Sequence, residues 1–186
     1  LRWPDDYFTL SAELSFQRFI LKDWSYLYIK LNNGEYMSSG NCNNFSLGLT
    51  LSRNSTDNPI FPRRGSEFTA SVRLTPPYSL FSDKDYKTYG QDNYEEAASV
   101  YNWVEYHKWK FKARTYTALT DGQKCPVIMT RAEFGLLGHY NKYKKSPFET
   151  FYMGGDGMTG YSTSYASETI AFRGYEKGPL TPSGSA

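Results

Sequence analysis

The stretch Lys108-Trp109-Lys110-Phe111-Lys112-Ala113-Arg114-Thr115 decides how this chain is read. Its cations occupy the even positions, and apolar or neutral side chains occupy the odd ones. Successive side chains of a β-strand point to opposite faces, so a period of two marks a strand with one basic side and one greasy side. The strand is expected to run from about Val100 to Leu119. Trp109, Phe111, Ala113, Thr115 and Leu119 look one way, and Lys108, Lys110, Lys112 and Arg114 the other.

The same alternation recurs on both sides of it. Between Tyr7 and Leu21, Phe8, Leu10, Ala12, Leu14 and Phe16 oppose Thr9, Ser11, Glu13, Ser15 and Gln17. From Phe45 to Ser52, Phe45, Leu47, Leu49 and Leu51 oppose Ser46, Gly48, Thr50 and Ser52. From Ser66 to Thr75, Phe68, Ala70, Val72 and Leu74 oppose Glu67, Thr69, Ser71 and Arg73. Pro76-Pro77 ends that run, because proline donates nothing to a ladder. Beyond Pro126, Ile128, Ala132, Phe134, Leu136 and Tyr140 oppose Arg131, Glu133 and His139. The pattern gives five strands and no convincing helix.

The connections alternate in length. Those near 53–65 and 120–126 are short and rich in turn residues. Those near 22–44, 76–99 and 141–186 are long. The first long one carries Asn32-Asn33-Gly34 and Ser38-Ser39-Gly40 turn chemistry, with Tyr26 to Leu31 as a possible strand extension. Tyr78 to Ser99 reads as a polar, aromatic loop. Up-and-down outer-membrane barrels have this asymmetry of short and long connections, and cross the bilayer with tilted strands of about 9–11 residues.

Charge and hydropathy leave that option open. A net charge of +2, with no Lys/Arg block, gives no footing for nucleic acid. Mean hydropathy of −0.63 looks like a soluble protein. In a barrel, however, every second residue faces a polar interior, and the average hides the lipid face. Two pictures therefore compete. In a soluble sandwich the apolar face packs inward; in a membrane barrel it meets lipid and the charged face lines the lumen. Strand length, loop asymmetry and aromatics near strand ends (Tyr7, Phe8, Phe19, Trp24, Tyr101, Trp103, Tyr140, Tyr143) favour the barrel. Lys108, Lys110, Lys112 and Arg114 then form a basic stripe on the lumen wall, near Glu13, Glu67 and Glu133. The alternative is an edge strand protected by lysines.

The last long connection holds Phe151-Tyr152-Met153-Gly154-Gly155 and, later, Ala171-Phe172-Arg173-Gly174-Tyr175. Loops of such length are functional or disordered. An arginine between an aromatic and a Gly-Tyr pair can reach a buried acid, and the glycine lets the backbone turn.

These motifs carry a resemblance. Phe61-Pro62-Arg63-Arg64-Gly65-Ser66 resembles the Pro-x-x-Gly-Ser turn of the BamA superfamily of outer-membrane assembly factors. Phe151-Tyr152-Met153-Gly154-Gly155 and Phe172-Arg173-Gly174-Tyr175 resemble its Phe-Tyr-x-Gly-Gly and Val-Arg-Gly-Phe/Tyr loop signature. Leu1 to Asp6 and Asn41 to Phe45 are similar to the Bacteroidetes-type branch.

The resemblance covers essentially the whole chain. It implies the middle of a barrel of about sixteen strands, with five of them here, ending inside a long extracellular lid loop at about 141–186. Pro62, Gly65 and Ser66 would form a periplasmic turn. Arg173 would pair with an acid on a later strand outside this chain. Two departures stand out: an insertion from Asp156 to Phe172, and Phe172 where valine is usual.

The implied function is insertion of client barrels into the bacterial outer membrane. The partners would be outer-membrane lipid, unfolded client proteins and accessory subunits, with no nucleic acid, cofactor or metal. A polypeptide-secretion translocator of the same superfamily is the first alternative, and a soluble sugar-binding sandwich the second. An enzyme is not expected. His107 and His139 lack partners at ligand spacing, Gly154-Gly155-Asp156-Gly157 lacks the Lys-Ser/Thr of a phosphate loop, and Asp5-Asp6 and Glu95-Glu96 read as turn acids.

In the barrel, Cys42 falls in an outer loop and Cys125 in a periplasmic turn, roughly 25 Å apart. A disulfide needs Cα atoms within about 7 Å, so none is expected.

Overall fold

The computed structural model describes residues 5–22, 29–30, 36–37, 39–90, 92–122, 125–144, 146, 149, 151–153 and 168–170, and the structural statements below concern those. In chain order the strands are β1 (Phe8–Leu21), β2 (Ile29–Lys30), β3 (Tyr36–Met37), β4 (Gly40–Asn54), β5 (Gly65–Leu74), β6 (His107–Ala118), β7 (Val127–Gly138), β8 (Phe151–Met153) and β9 (Glu168–Ile170). One α-helix, α1, spans Tyr94–Tyr101, and a short 3-10 helix spans Tyr78–Phe81.

The five long strands form one antiparallel up-and-down sheet in the order β1-β4-β5-β6-β7, each beside its predecessor among the long strands. β2 pairs with β3, and β8 with β9, as separate two-stranded ladders. The expected Asn32-Asn33-Gly34 turn lies outside the described residues.

The register of β4 on β5 keeps the two faces apart. Leu47 lies opposite Leu74, Leu49 opposite Val72 and Leu51 opposite Ala70. The alternate pairs are Gly48–Arg73, Thr50–Ser71, Ser52–Thr69 and Asn54–Glu67. A slip of one residue would put every one of these side chains on the wrong face.

The chain packs as two compact units. The first comprises Leu1–Ser15, Ser46–Leu74 and Lys108–Leu136. Its burial is reversed relative to a soluble domain. Among its described residues the buried side chains are Ser46 and Lys108, while Leu14 is 69% exposed, Phe134 63% and Leu10 55%. Leu47, Leu49, Trp109, Phe111, Ile128 and Leu136 are exposed as well. A sandwich would cover these residues with a second sheet; among the described residues none forms a layer over the apolar face.

The second unit comprises Phe16–Phe45, Thr75–His107 and Leu137–Ala186. Its small core is Cys42, Val104 and Tyr106, packed on by Phe19, Leu21, Tyr101 and Leu137.

Three expectations about the chain are corrected here. Val100 does not begin a strand but lies in the last turn of α1, whose start at Tyr94 interrupts the stretch expected to be loop from Tyr78 to Ser99, and β6 starts at His107. Asn93 caps that helix, accepting the Glu95 amide at 3.1 Å. Glu95 and Glu96 sit in its first turn, where the helix dipole favours acids. Buried Ala97 is packed by Tyr94, Ala98 and Tyr101, a stripe at helical spacing.

Second, the run 40–44 is strand, although the sequence reads as loop up to Asn44. Asn43 Nδ2 donates to Asn102 O and Oδ1, both at 3.1 Å, and Asn44 Nδ2 donates to Tyr106 Oη at 3.3 Å. With their side-chain amides donating to these partners, Asn43 and Asn44 no longer compete with the ladder. Cys42 therefore belongs to β4 and is buried, not part of an outer loop. Both cysteines are free thiols.

Third, Tyr101 belongs to the helix and its core, and Trp103 tilts against Tyr78 at 5.1 Å between ring centroids. Neither sits at the end of a long strand as an interfacial aromatic.

Candidate functional surface and its turn

Carboxylates and guanidinium groups meet across the polar face of the first unit. Arg114 lies 3.7 Å from Glu67, joining β6 to β5. Arg73 lies 3.7 Å from Glu13, although β5 and β1 are separated by β4. Strands two apart are roughly 9–10 Å from each other. The contact needs a gap on β4, and Gly48 supplies it. Gly48 lies opposite Arg73, and a Cβ there would rest 3.6 Å from Glu13 Cβ. Arg131 grips Glu133 within β7 at 2.6 Å.

Of the expected basic stripe, Lys108 is buried, Lys110 and Arg114 are half-buried, and Lys112 is exposed. Arg114 has the acidic neighbour foreseen for the stripe, Glu67, whereas Glu13 and Glu133 turn to other arginines. Ion pairs this exposed are each worth at most about 1 kcal/mol. Their consequence is a charged, partly ion-paired wall on the face opposite the exposed apolar side chains.

The connection between β4 and β5 is a fixed turn. Gly65 has φ of +112°, where a side chain is strained, and a Cβ there would sit 2.3 Å from Ser55 O. Ser66 N–H donates to Ser55 Oγ at 3.3 Å, and Ser55 N–H to Ser66 O at 2.9 Å. Asn58 Oδ1 accepts the amides of Ile60 and Phe61. Asp57 Oδ1 accepts those of Arg63 and Arg64, which hold its carboxyl below the usual carboxylate range. Pro62, lacking an N–H, adds no donor of its own to this turn. Arg64 also pairs with Asp121 of the next short turn.

Arg53 is the residue that sequence reasoning missed. It lies opposite Phe68 on the face of Leu47, Leu49 and Leu51, one step beyond their apolar run. Its Nε and Nη2 reach Asp5 Oδ2 at 3.0 and 2.9 Å, and Nη1 reaches Ser55 Oγ at 2.9 Å and Ser66 Oγ at 3.3 Å. The guanidinium lies 5.6 Å from the Tyr7 ring centroid and 5.8 Å from that of Phe8, and Phe8 meets Phe68 edge-on. A charge and two aromatics thus close the greasy face at its short-turn end, as at a membrane interface. The odd-numbered alternation through 47, 49 and 51 carried that signal in the sequence.

Gly154, Gly155, Phe172, Arg173, Gly174 and Tyr175 all fall outside the described residues. His107 packs its ring against Gly138, where a Cβ would be 2.0 Å from Cε1, and lies edge-on to Tyr140 at 5.4 Å. That is the arrangement of a wall histidine.

An antiparallel up-and-down sheet with a bare apolar face, a polar and charge-paired opposite face, and short turns at one end is a section of a transmembrane β-barrel wall. The Omp85 superfamily domain matches residues 3–185, and the chain belongs to that superfamily. Membership points in general to the bacterial outer membrane, and to the assembly or secretion of outer-membrane proteins. No curated protein and no solved structure matches the chain.

Proposed function

We propose that the chain is the middle of the barrel of a BamA-type factor, of the Bacteroidetes branch, which folds and inserts client barrels into the outer membrane. The bare apolar face, together with the superfamily match over residues 3–185, carries this reading. The ordered motifs around Gly65, Gly154 and Arg173 support the superfamily, and a secretion translocator would share them. The work needs neither nucleotide nor metal: open strand edges of the complete barrel template a client strand, and a thinned bilayer lowers the barrier to insertion.

This section supplies wall and lid. Residues 141–186 form the extracellular lid loop, and Arg173 pins it by a charge-assisted hydrogen bond to an acid of a later strand. Gly174 permits the close approach. The lumen wall carries Lys108, Lys110, Lys112 and Arg114, and the partners are lipid, unfolded clients and accessory subunits.

In the complete protein, Arg173→Ala is expected to lower the levels of many outer-membrane barrels several-fold. Quantitative proteomics of outer membranes reads this directly. Unchanged barrel levels and normal growth would count against the reading. Loss of a single secreted passenger, with all barrels intact, would identify a translocator instead.

A further inference from the structure

In the second unit Glu105 is almost wholly buried, at 1% exposure, between α1 and β6. Its Oε2 accepts the Ser79 amide at 2.8 Å and lies 3.7 Å from Lys144 Nζ. Its Oε1 and the Ser79 hydroxyl are buried with no hydrogen-bond partner among the described residues. Lys144 is itself buried, and its ammonium lies 5.8 Å from the Tyr78 ring centroid and 5.4 Å from that of Tyr86. Two aromatic rings and a carboxylate around an ammonium are the chemistry of a cation cage.

Such a site is costly to build. Burial pulls the Lys144 pKa below the ordinary lysine value, and the neighbouring Glu105 charge works against that fall. A buried pair adds little net stability compared with an apolar one, but breaking it leaves an uncompensated charge. Its effect is to fix position: two segments distant in sequence hold each other in one arrangement.

We infer that Tyr78, Tyr86 and Glu105 form a built-in receptor for Lys144, a latch that clamps the start of the segment following β7 onto residues 78–106. Lys144 is thus a positioning residue, acting on where the chain leaves the wall. The inference rests on the lid reading only for its purpose, since the latch itself lies wholly within described residues.

The test uses the complete protein in vesicles, with Ser146→Cys as a reporter beside the latch. Alkylation of that thiol by a membrane-impermeant maleimide is expected to be slow in the parent protein. Lys144→Met and Glu105→Gln should each speed it by about tenfold or more, through local opening. The double variant should be no faster than the faster single one, because both changes break the same contact. Glu105→Gln keeps size and the Ser79 acceptor, so it decides the matter alone if Lys144→Met does not fold. Parent-like rates in folded Glu105→Gln, or rate increases that multiply in the double variant, would overturn the latch. Labelling does not depend on client assembly, so failure here and failure of the assembly reading are distinguishable.

Discussion

Phe111→Arg destabilises the folded barrel by about 2–4 kcal/mol in a bilayer, the cost of a cation on the lipid face near mid-membrane. Lys112→Gln, one residue further along, changes stability by no more than about 0.5 kcal/mol. The contrast comes from the pleat. Phe111 is exposed on the face of Trp109, and Lys112 on the face of Lys110 and Arg114, near the centre of β6. In a soluble sandwich Phe111 would also be intolerant, but through a filled core, and among the described residues the buried core contains none of the sheet's apolar face. Urea unfolding of the complete protein in vesicles and in detergent separates the two explanations. The penalty for Phe111→Arg should shrink in detergent, where the new guanidinium reaches water.

Gly65→Ala is the second large effect, expected at about 3 kcal/mol or more. Its backbone is already in a region that L side chains avoid, and the new methyl would meet Ser55 O and the Thr56 Cα, which cannot swing away. The same turn holds the Ser55–Ser66 pair and the Arg53 guanidinium, so strain at Gly65 propagates to the end of the apolar face. Arg64→Ala, which removes only an exposed ion pair with Asp121, should cost no more than about 1 kcal/mol. The fraction of protein that resists unfolding by SDS without heating, measured for both variants, checks the difference. Equal behaviour of the two would contradict the turn geometry.

The strands were legible because a wall with unlike faces writes a period of two into the chain: β1, β5 and β7 fall within about two residues of the expected bounds, whereas β4 starts five residues earlier and β6 seven residues later than expected. The helix was missed because eight residues give a weak stripe, and Tyr94, Val100 and Tyr101 suit a strand as well; the Asn93 cap with two following glutamates was the readable clue. The length of β4 was missed because Asn41, Asn43 and Asn44 mimic a turn until partners at Asn102 and Tyr106 are known. The Glu13–Arg73 contact over Gly48 depends on strand order, and the Lys144 cage on a fold-back over 39 residues, 105 to 144. Neither leaves a local mark in the sequence. The motifs around Gly154 and Arg173 are legible only as a resemblance, since they fall outside the described residues.

The central claim is that each ribbon turns its greasy side to lipid and its charged side to water. It is tested most directly by fluorophores attached at Leu49→Cys and Thr50→Cys, neighbours on the interior strand β4, in the complete protein in vesicles. Nitroxide carried on lipid chains should quench the label at 49 strongly and that at 50 weakly, and aqueous iodide should do the opposite. Iodide reaching both labels, with lipid-borne nitroxide reaching neither, would contradict the claim.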